Sequence, residues 1–222
     1  MTSTHRIAII GVGYWGRNLV RNFSALGVLV GVCETAETPR SIVRKEYPGV
    51  TVHKSPEAVF ADSSIDGVVI ATPAETHGEL TRRALAAGKH VFVEKPLCLD
   101  VSDAESLKRL ADKKQLVLMV GHLLHYHPAF RALQDTAKNG ELGELRYIYS
   151  NRLSLGKIRR EENALWSFAP HDISMILQLA GGMPQRVIAS GANYLTAGVA
   201  DTTLSHLVFG GNVQAHIYVS WL

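Results

Sequence analysis

The sequence predicts an α/β chain: a doubly wound parallel sheet over residues 1–121, then an α+β region with an open, mostly antiparallel sheet over 122–222. Two observations predict the first half. Short β-branched runs alternate with longer amphipathic stretches, and within each run the apolar residues are consecutive, as strands covered by helices on both faces require. The second half is predicted by longer runs in which apolar and polar positions alternate, the mark of a sheet with one solvated face.

The runs of the first half are Arg6 to Ile10, Val28 to Val32, Val50 to Val52, Ile65 to Ala71, His90 to Glu94 and Leu116 to Val120. Between them, Ser102 with Glu105 reads as a capping box, and Thr76 with Glu79 as the start of a helix that stops at Gly88. After Gly121 the pattern gives a helix from Pro128 to Lys138 and strands within 145–155, 185–195, 202–209 and 213–221, the last two joined by a Gly210-Gly211 turn. The final run reaches Leu222, so the second sheet reads as incomplete, with an unpaired strand near Val219.

Composition narrows the function classes. The chain has 222 residues, 46% hydrophobic and 19% charged, with a net charge of +3, too small a bias to make nucleic acid the expected partner. Cys33 and Cys98 form no CxxC pair, which excludes a zinc ribbon or disulfide framework and fits a reducing cytoplasm. The opening MTSTHRIAII lacks the pattern of an export signal, and the longest apolar run, Leu26 to Cys33, is broken by Gly27 and Gly31, so no membrane span is expected.

Gly11-Val-Gly-Tyr-Trp-Gly16 lies between the first strand and the first helix. In this setting the first glycine permits a tight turn, the second admits a pyrophosphate, and the third lets helix pack on strand. Glu34, 18 residues after Gly16, closes the second strand where a carboxylate accepts from an adenosine ribose and repels a 2′-phosphate. The pattern is that of a Rossmann-type site, and it favours NAD over NADP. Gly11, Gly13, Tyr14, Trp15, Gly16 and Glu34 are its candidate cofactor residues, joined by Thr72, Pro73, His77, Glu94 and Lys95 at the ends of the fourth and fifth strands.

GVGYWG, ATPAETH and VEKPL, in this order and at these strand ends, resemble the Gfo/Idh/MocA family of sugar and cyclitol oxidoreductases, over essentially the whole chain. The resemblance implies an N-terminal nucleotide-binding domain and a C-terminal substrate domain, here shorter than in the family, whose open sheet often carries subunit contacts; a homo-oligomer is the expectation. It implies that Lys95 is the catalytic lysine and the Lys95-Pro96 bond a candidate cis peptide. His171, in WSFAPHDIS, matches the family's catalytic histidine at the start of a helix, whereas Ser167 stands where an Asp is common; Asp172 is left to orient the imidazole. Oxidising a secondary alcohol needs a base and an electrostatic partner for the alkoxide, roles assigned here to His171 and Lys95, with the exchange of roles open.

The stretch 151–163 and the LWSFAPHDIS that follows resemble the subgroup acting on nucleotide-linked amino sugars, the UDP-N-acetylglucosamine 3-dehydrogenases, whose 3-keto products pass to a partner aminotransferase. Arg152, Lys157, Arg159 and Arg160 can pair with a pyrophosphate, and Asn151 and Asn163 can meet hydroxyls or an acetamido group. His122, His125 and His127 crowd together, but no Cys or acid completes a tetrahedral metal set, so no metal is expected and His125 and Tyr126 are read as substrate-pocket residues. Two other readings stand beside this one: a ketosugar reductase or a dehydrogenase of a uronate, free sugar or cyclitol, and a catalytically silent nucleotide-binding subunit.

Overall fold

A computed structural model describes residues 5–155 and 162–222. The chain divides into two compact units, 1–121 and 122–222. Among the described residues no helix is long and apolar enough to cross a membrane.

The first unit alternates strand and helix: β1 (Ile7–Ile10), α1 (Gly16–Ala25), β2 (Leu29–Cys33), α2 (Glu37–Glu46), β3 (Thr51–His53), α3 (Pro56–Ala61), β4 (Gly67–Ile70), α4 (Ala74–Ala86), β5 (His90–Val93), α5 (Val101–Lys114) and β6 (Leu118–Val120). All six strands are parallel, in the order β3-β2-β1-β4-β5-β6. The consecutive apolar residues divide by the pleat. Ile9, Val32 and Val69 pack with Leu19 and Val20 of α1 and Val43 of α2. Ala8, Ile10, Val68 and Ile70 pack on the opposite face with Leu80 and Leu85 of α4 and Leu107 of α5. Strand order reverses between β1 and β4, so the chain leaves their carboxyl ends in opposite directions and opens a crevice there.

Two helix starts differ from the sequence reading. The cap of α5 is Asp100, whose carboxylate accepts from the amides of Ser102 and Asp103, so Ser102 lies inside the helix. Helix α4 begins two residues before Thr76, and Thr76 Oγ1 donates to the carbonyl of Pro73. Gly88 does follow the end of α4 with φ of 79°.

The second unit holds α6 (Pro128–Lys138), β7 (Tyr147–Leu153), α7 (Ala164–Ala180), β8 (Arg186–Ala192), β9 (Thr202–Val208) and β10 (Gln214–Ser220). Its sheet runs β7-β10-β9-β8, with β7 and β10 parallel and the other two pairings antiparallel. The strand carrying Val219 is therefore paired on both sides, contrary to the sequence expectation, because β10 inserts between β7 and β9; the edges are β7 and β8. Helix α7 covers one face, where Ala215, Ile217 and Val219 of β10 and Leu207 of β9 meet Ala169 and Ile176. The other face carries exposed Tyr147, Tyr149, Leu204 and Ile188.

Leu107 is fully buried between α5 and the sheet. Leu107→Ala is expected to cost about 2–5 kcal/mol through lost apolar contact and a residual cavity. Urea unfolding of the two proteins side by side checks this, with the loss read in the transition of the first unit.

Candidate functional site

The crevice beyond β1 and β4 is shaped by glycines. Gly11 has φ of 95°, and a Cβ there would lie 2.6 Å from the carbonyl oxygen of Ala71, the residue after β4. A Cβ on Gly16 would lie 2.2 Å from the carbonyl oxygen of Gly11. Both positions are glycine because protein backbone occupies the space. Around Gly13, by contrast, a Cβ would meet nothing within 4 Å, so the protein's own packing does not require a glycine there. No side chain caps the start of α1 and no acid lies in its first turn, which leaves that end suited to an anion.

A cavity of about 740 Å³ opens here, lined by Gly11, Gly13, Tyr14, Trp15, Glu34, Thr35, Thr72, Pro73 and Thr76 among others. The sequence-predicted glycine loop, Glu34, Thr72 and Pro73 are thus brought together in one unit. Glu34 is fixed by donation from the Val12 amide to Oε2 (2.8 Å) and from the Ala36 amide to Oε1 (2.9 Å). Burial pushes its carboxyl up, but the amides of Ala36, Val12 and Thr35 outweigh burial and hold it below the ordinary value, so it is an anion at neutral pH. Arg40, the next arginine in the chain, is turned inward: it donates to the carbonyls of Glu34 (2.8 Å) and Thr35 (2.5 Å) and pairs with Glu37. A fixed anion with its nearest arginine already bonded fits a ribose diol and disfavours a 2′-phosphate. The bare backbone at Gly13, the open helix end and this carboxylate together fit an adenine dinucleotide.

At the end of β5, the Lys95-Pro96 bond is cis. The preceding Glu94 accepts from Trp15 Nε1 at 2.9 Å, a bond across 79 residues that joins the glycine loop to the lysine-bearing turn. Burial raises the Glu94 carboxyl above its usual range, against the opposing effects of the Trp15 bond, the Lys95 amide and the charges of His77 and Lys95. Gly121 leaves room for it, since a Cβ there would lie 3.0 Å from Glu94 Oε1. His77 is buried, with Nδ1 2.7 Å from the Pro96 carbonyl oxygen and Nε2 2.8 Å from that of Thr72. Sequence reasoning met Arg40 only as the first arginine after Glu34 and Thr76 only as a helix start, and did not single out Gly121; Arg40 lies in α2, seven residues after the end of β2, and nothing local announces its bonds to the Glu34 and Thr35 carbonyls.

In the second unit, His171 lies in the middle of α7, one residue after Pro170, not at the helix start that the resemblance implied. The start is capped by Asn163, whose side chain accepts from the Trp166 amide, so Asn163 has a structural task. Asp172 is buried, and its carboxylate accepts from Ser150 Oγ (2.7 Å), Arg152 Nε (2.7 Å) and Arg152 Nη2 (3.2 Å). A buried carboxylate needs such partners. The pleat separates Asn151 from Arg152: Asn151 shares the open face with Tyr147 and Tyr149, whereas Arg152 faces α7. Lys157, Arg159 and Arg160 lie outside the described residues. The His125 ring is tilted against Phe130 and His122, Tyr126 lies under the Arg131 guanidinium, and His127 caps α6 by accepting from the Ala129 amide.

Residues 5–122 match the model of an oxidoreductase family with an NAD-binding Rossmann fold, Gfo/Idh/MocA, and residues 130–222 match the Gfo/Idh/MocA C-terminal domain. The chain is 30% identical over 221 residues to UDP-N-acetylglucosamine 3-dehydrogenase of Acidithiobacillus ferrooxidans, a match covering 97% of this chain and 66% of that one. A solved structure of the enzyme of that name from the same organism superposes with a TM-score of 0.86 at 31% identity, over 97% of this chain and 66% of that one. Inositol 2-dehydrogenase of Rhizobium meliloti is 28% identical, over 89% of this chain and 62% of the relative. The chain spans between 51% and 66% of the length of these curated relatives and others like them.

The two outer glycines and the middle one should separate by experiment. Gly13→Ala is expected to leave thermal unfolding unchanged and to weaken NADH binding about tenfold or more, as a methyl group displaces a charge-assisted backbone contact. Gly16→Ala is expected to lower the unfolding temperature as well. Fluorescence titration with NADH, next to melting curves, checks both.

Proposed function

Because the chain belongs to the Gfo/Idh/MocA family of oxidoreductases, with an NAD-binding first unit, we propose that it oxidises the 3-hydroxyl of a UDP-linked N-acetylhexosamine to a 3-keto sugar nucleotide. The observation that carries the cofactor half of this reading is the ionised Glu34 at the cavity, with Arg40 engaged by the carbonyls of Glu34 and Thr35. The substrate half is supported by the 30% identity to the Acidithiobacillus ferrooxidans enzyme across nearly the whole chain. Residues 1–121 are assigned to the cofactor and 122–222 to the sugar.

Bound NAD supplies the hydride acceptor. Glu34 accepts from the adenosine ribose, and the backbone at Gly13 meets the pyrophosphate. His171 takes the hydroxyl proton and Lys95 steadies the alkoxide that develops, since an ammonium in a dry site stabilises oxyanion charge far better than water does. The 3-keto product is chemically ready for an aminotransferase. The exposed face carrying Tyr147, Tyr149, Leu204 and Ile188 supports self-association through the second sheet.

One observation favours a cyclitol or free sugar instead. Arg152, assigned from sequence to the pyrophosphate of the substrate, is bonded to Asp172, which withdraws one cation from that task. Inositol dehydrogenases are also among the relatives.

Mixing the protein with NAD and UDP-N-acetylglucosamine is expected to give the absorbance of NADH, and myo-inositol is not. His171→Ala should lower kcat by about 10²–10⁴-fold, the range of a lost general base. Turnover with myo-inositol alone would move the assignment to cyclitols. Since Glu34 is held below its usual range, its support for NADH binding should be full above the ordinary carboxylate range and be lost as pH falls through the depressed value. Binding measured between about pH 7 and pH 5 should therefore stay level, and Glu34→Gln should weaken it at every pH in that window.

A further inference from the structure

His77 is the fourth residue of α4 and is 1% exposed. Both of its ring nitrogens face carbonyl oxygens, that of Pro96 at 2.7 Å and that of Thr72 at 2.8 Å. Carbonyl oxygens only accept, and a neutral imidazole has one N–H and one lone pair. With a neutral ring, one of the two contacts would set a lone pair against a lone pair in a buried place and leave both groups unsatisfied. A ring protonated on both nitrogens makes two charge-assisted donations from the same geometry. Glu94 lies close enough for its carboxyl to respond to charge on His77, and Lys95 is the other charged group on the same turn.

The two acceptors belong to different turns. Thr72 lines the cofactor cavity, and Pro96 directly follows Lys95. The neighbouring Thr76 holds the first turn too: its one hydroxyl hydrogen goes to the Pro73 carbonyl, so across the 2.7 Å contact with Thr72 Oγ1 it is Thr72 that donates. Consecutive residues of one helix therefore grip the cavity-lining turn, and only His77 also reaches the lysine-bearing one.

We propose that His77 is a positioning residue, a buried imidazolium that donates at once to the Thr72 and Pro96 carbonyls and so locks the turn bearing Lys95 to the turn that lines the cofactor cavity. The proposal rests on the reading of Lys95 and the cavity given above.

The ring itself is tested without ligand or turnover. In protein labelled with ¹⁵N at histidine, both His77 ring nitrogens are expected to carry a slowly exchanging proton; a ring with one bare nitrogen would overturn the proposal. Two shorter-handed variants then divide the clamp. The amide of His77→Asn reaches the Pro96 side only and that of His77→Gln the Thr72 side only. His77→Asn is expected to keep kcat and lose NADH affinity, and His77→Gln to keep NADH affinity and lose kcat, each loss being roughly ten- to hundredfold for one charge-assisted bond. Equal losses of both quantities in both variants would mean a structural role alone and refute the clamp. If no sugar is turned over, the dehydrogenase reading fails while the ring spectrum and the NADH titration still decide the role of His77.

Discussion

The structure of the first unit depends on one steric constraint: two backbone segments meet at the reversal of strand order with no room for a side chain between them. Gly11 and Ala71 approach until the Cβ of any other residue at 11 would overlap the Ala71 carbonyl, and Gly16 is pressed in the same way against Gly11. That approach draws the loop after β1 and the loop after β4 to one place, and the glycine loop, Thr72 and Pro73 that line the cavity belong to those loops. The paired strands place Ile10 beside Cys33 and Ile70, so Glu34 and Thr72 follow at neighbouring strand ends. The cavity is thus a consequence of sheet topology, and its chemistry is added by the few residues just past each strand.

Backbone groups meet the charges of Glu34, Arg40 and Lys89 in this unit. Glu34 takes amides of Val12 and Ala36, Arg40 takes the carbonyls of Glu34 and Thr35, and the buried Lys89 donates to the carbonyls of Asp62 and Ile65. Turns that lack regular pairing offer unsatisfied amides and carbonyls, and a charged side chain satisfies several at once. The loops around the cavity are therefore stiffened by the same residues that set its potential. In the second unit the buried Asp201 likewise accepts from the backbone amides of Tyr194 and Leu195, whereas the buried Asp172 is paired with Arg152 inside the contact of β7 and α7.

The first half of the fold was legible because strands buried on both faces leave consecutive apolar residues, a pattern that depends on nothing distant. The glycine loop and Glu34 were legible for a related reason, since turn geometry and strand end are local. What escaped were pairings across long separations: Trp15 with Glu94, Arg152 with Asp172, and β10 with β7. Alternation told which residues of β7 share a face, yet Asn151 and Arg152 were read together as a ligand set because spacing in the chain was taken for proximity. Asp100 was passed over as a cap in favour of Ser102, two residues later, because both are good acceptors and only the backbone angles decide between them. Sequence pattern speaks for periodicity; it is silent on which of several polar partners a buried group finds.

The place of β10 in the second sheet bears on how the chain reaches its fold as it is made. Strands β7, β9 and β8 include no pairing of β7 with the other two; β10 alone joins them, in parallel with β7 and antiparallel with β9. Synthesis runs from the amino end, so the first unit, whose strands pair through short βαβ links, can assemble as soon as residue 121 has cleared the ribosome. The strand β7 must then wait, its edge unsatisfied, until Gln214–Ser220 emerges to complete it. During that interval the nascent second unit is an open edge beside a finished domain, the moment at which a chaperone is most useful to this chain.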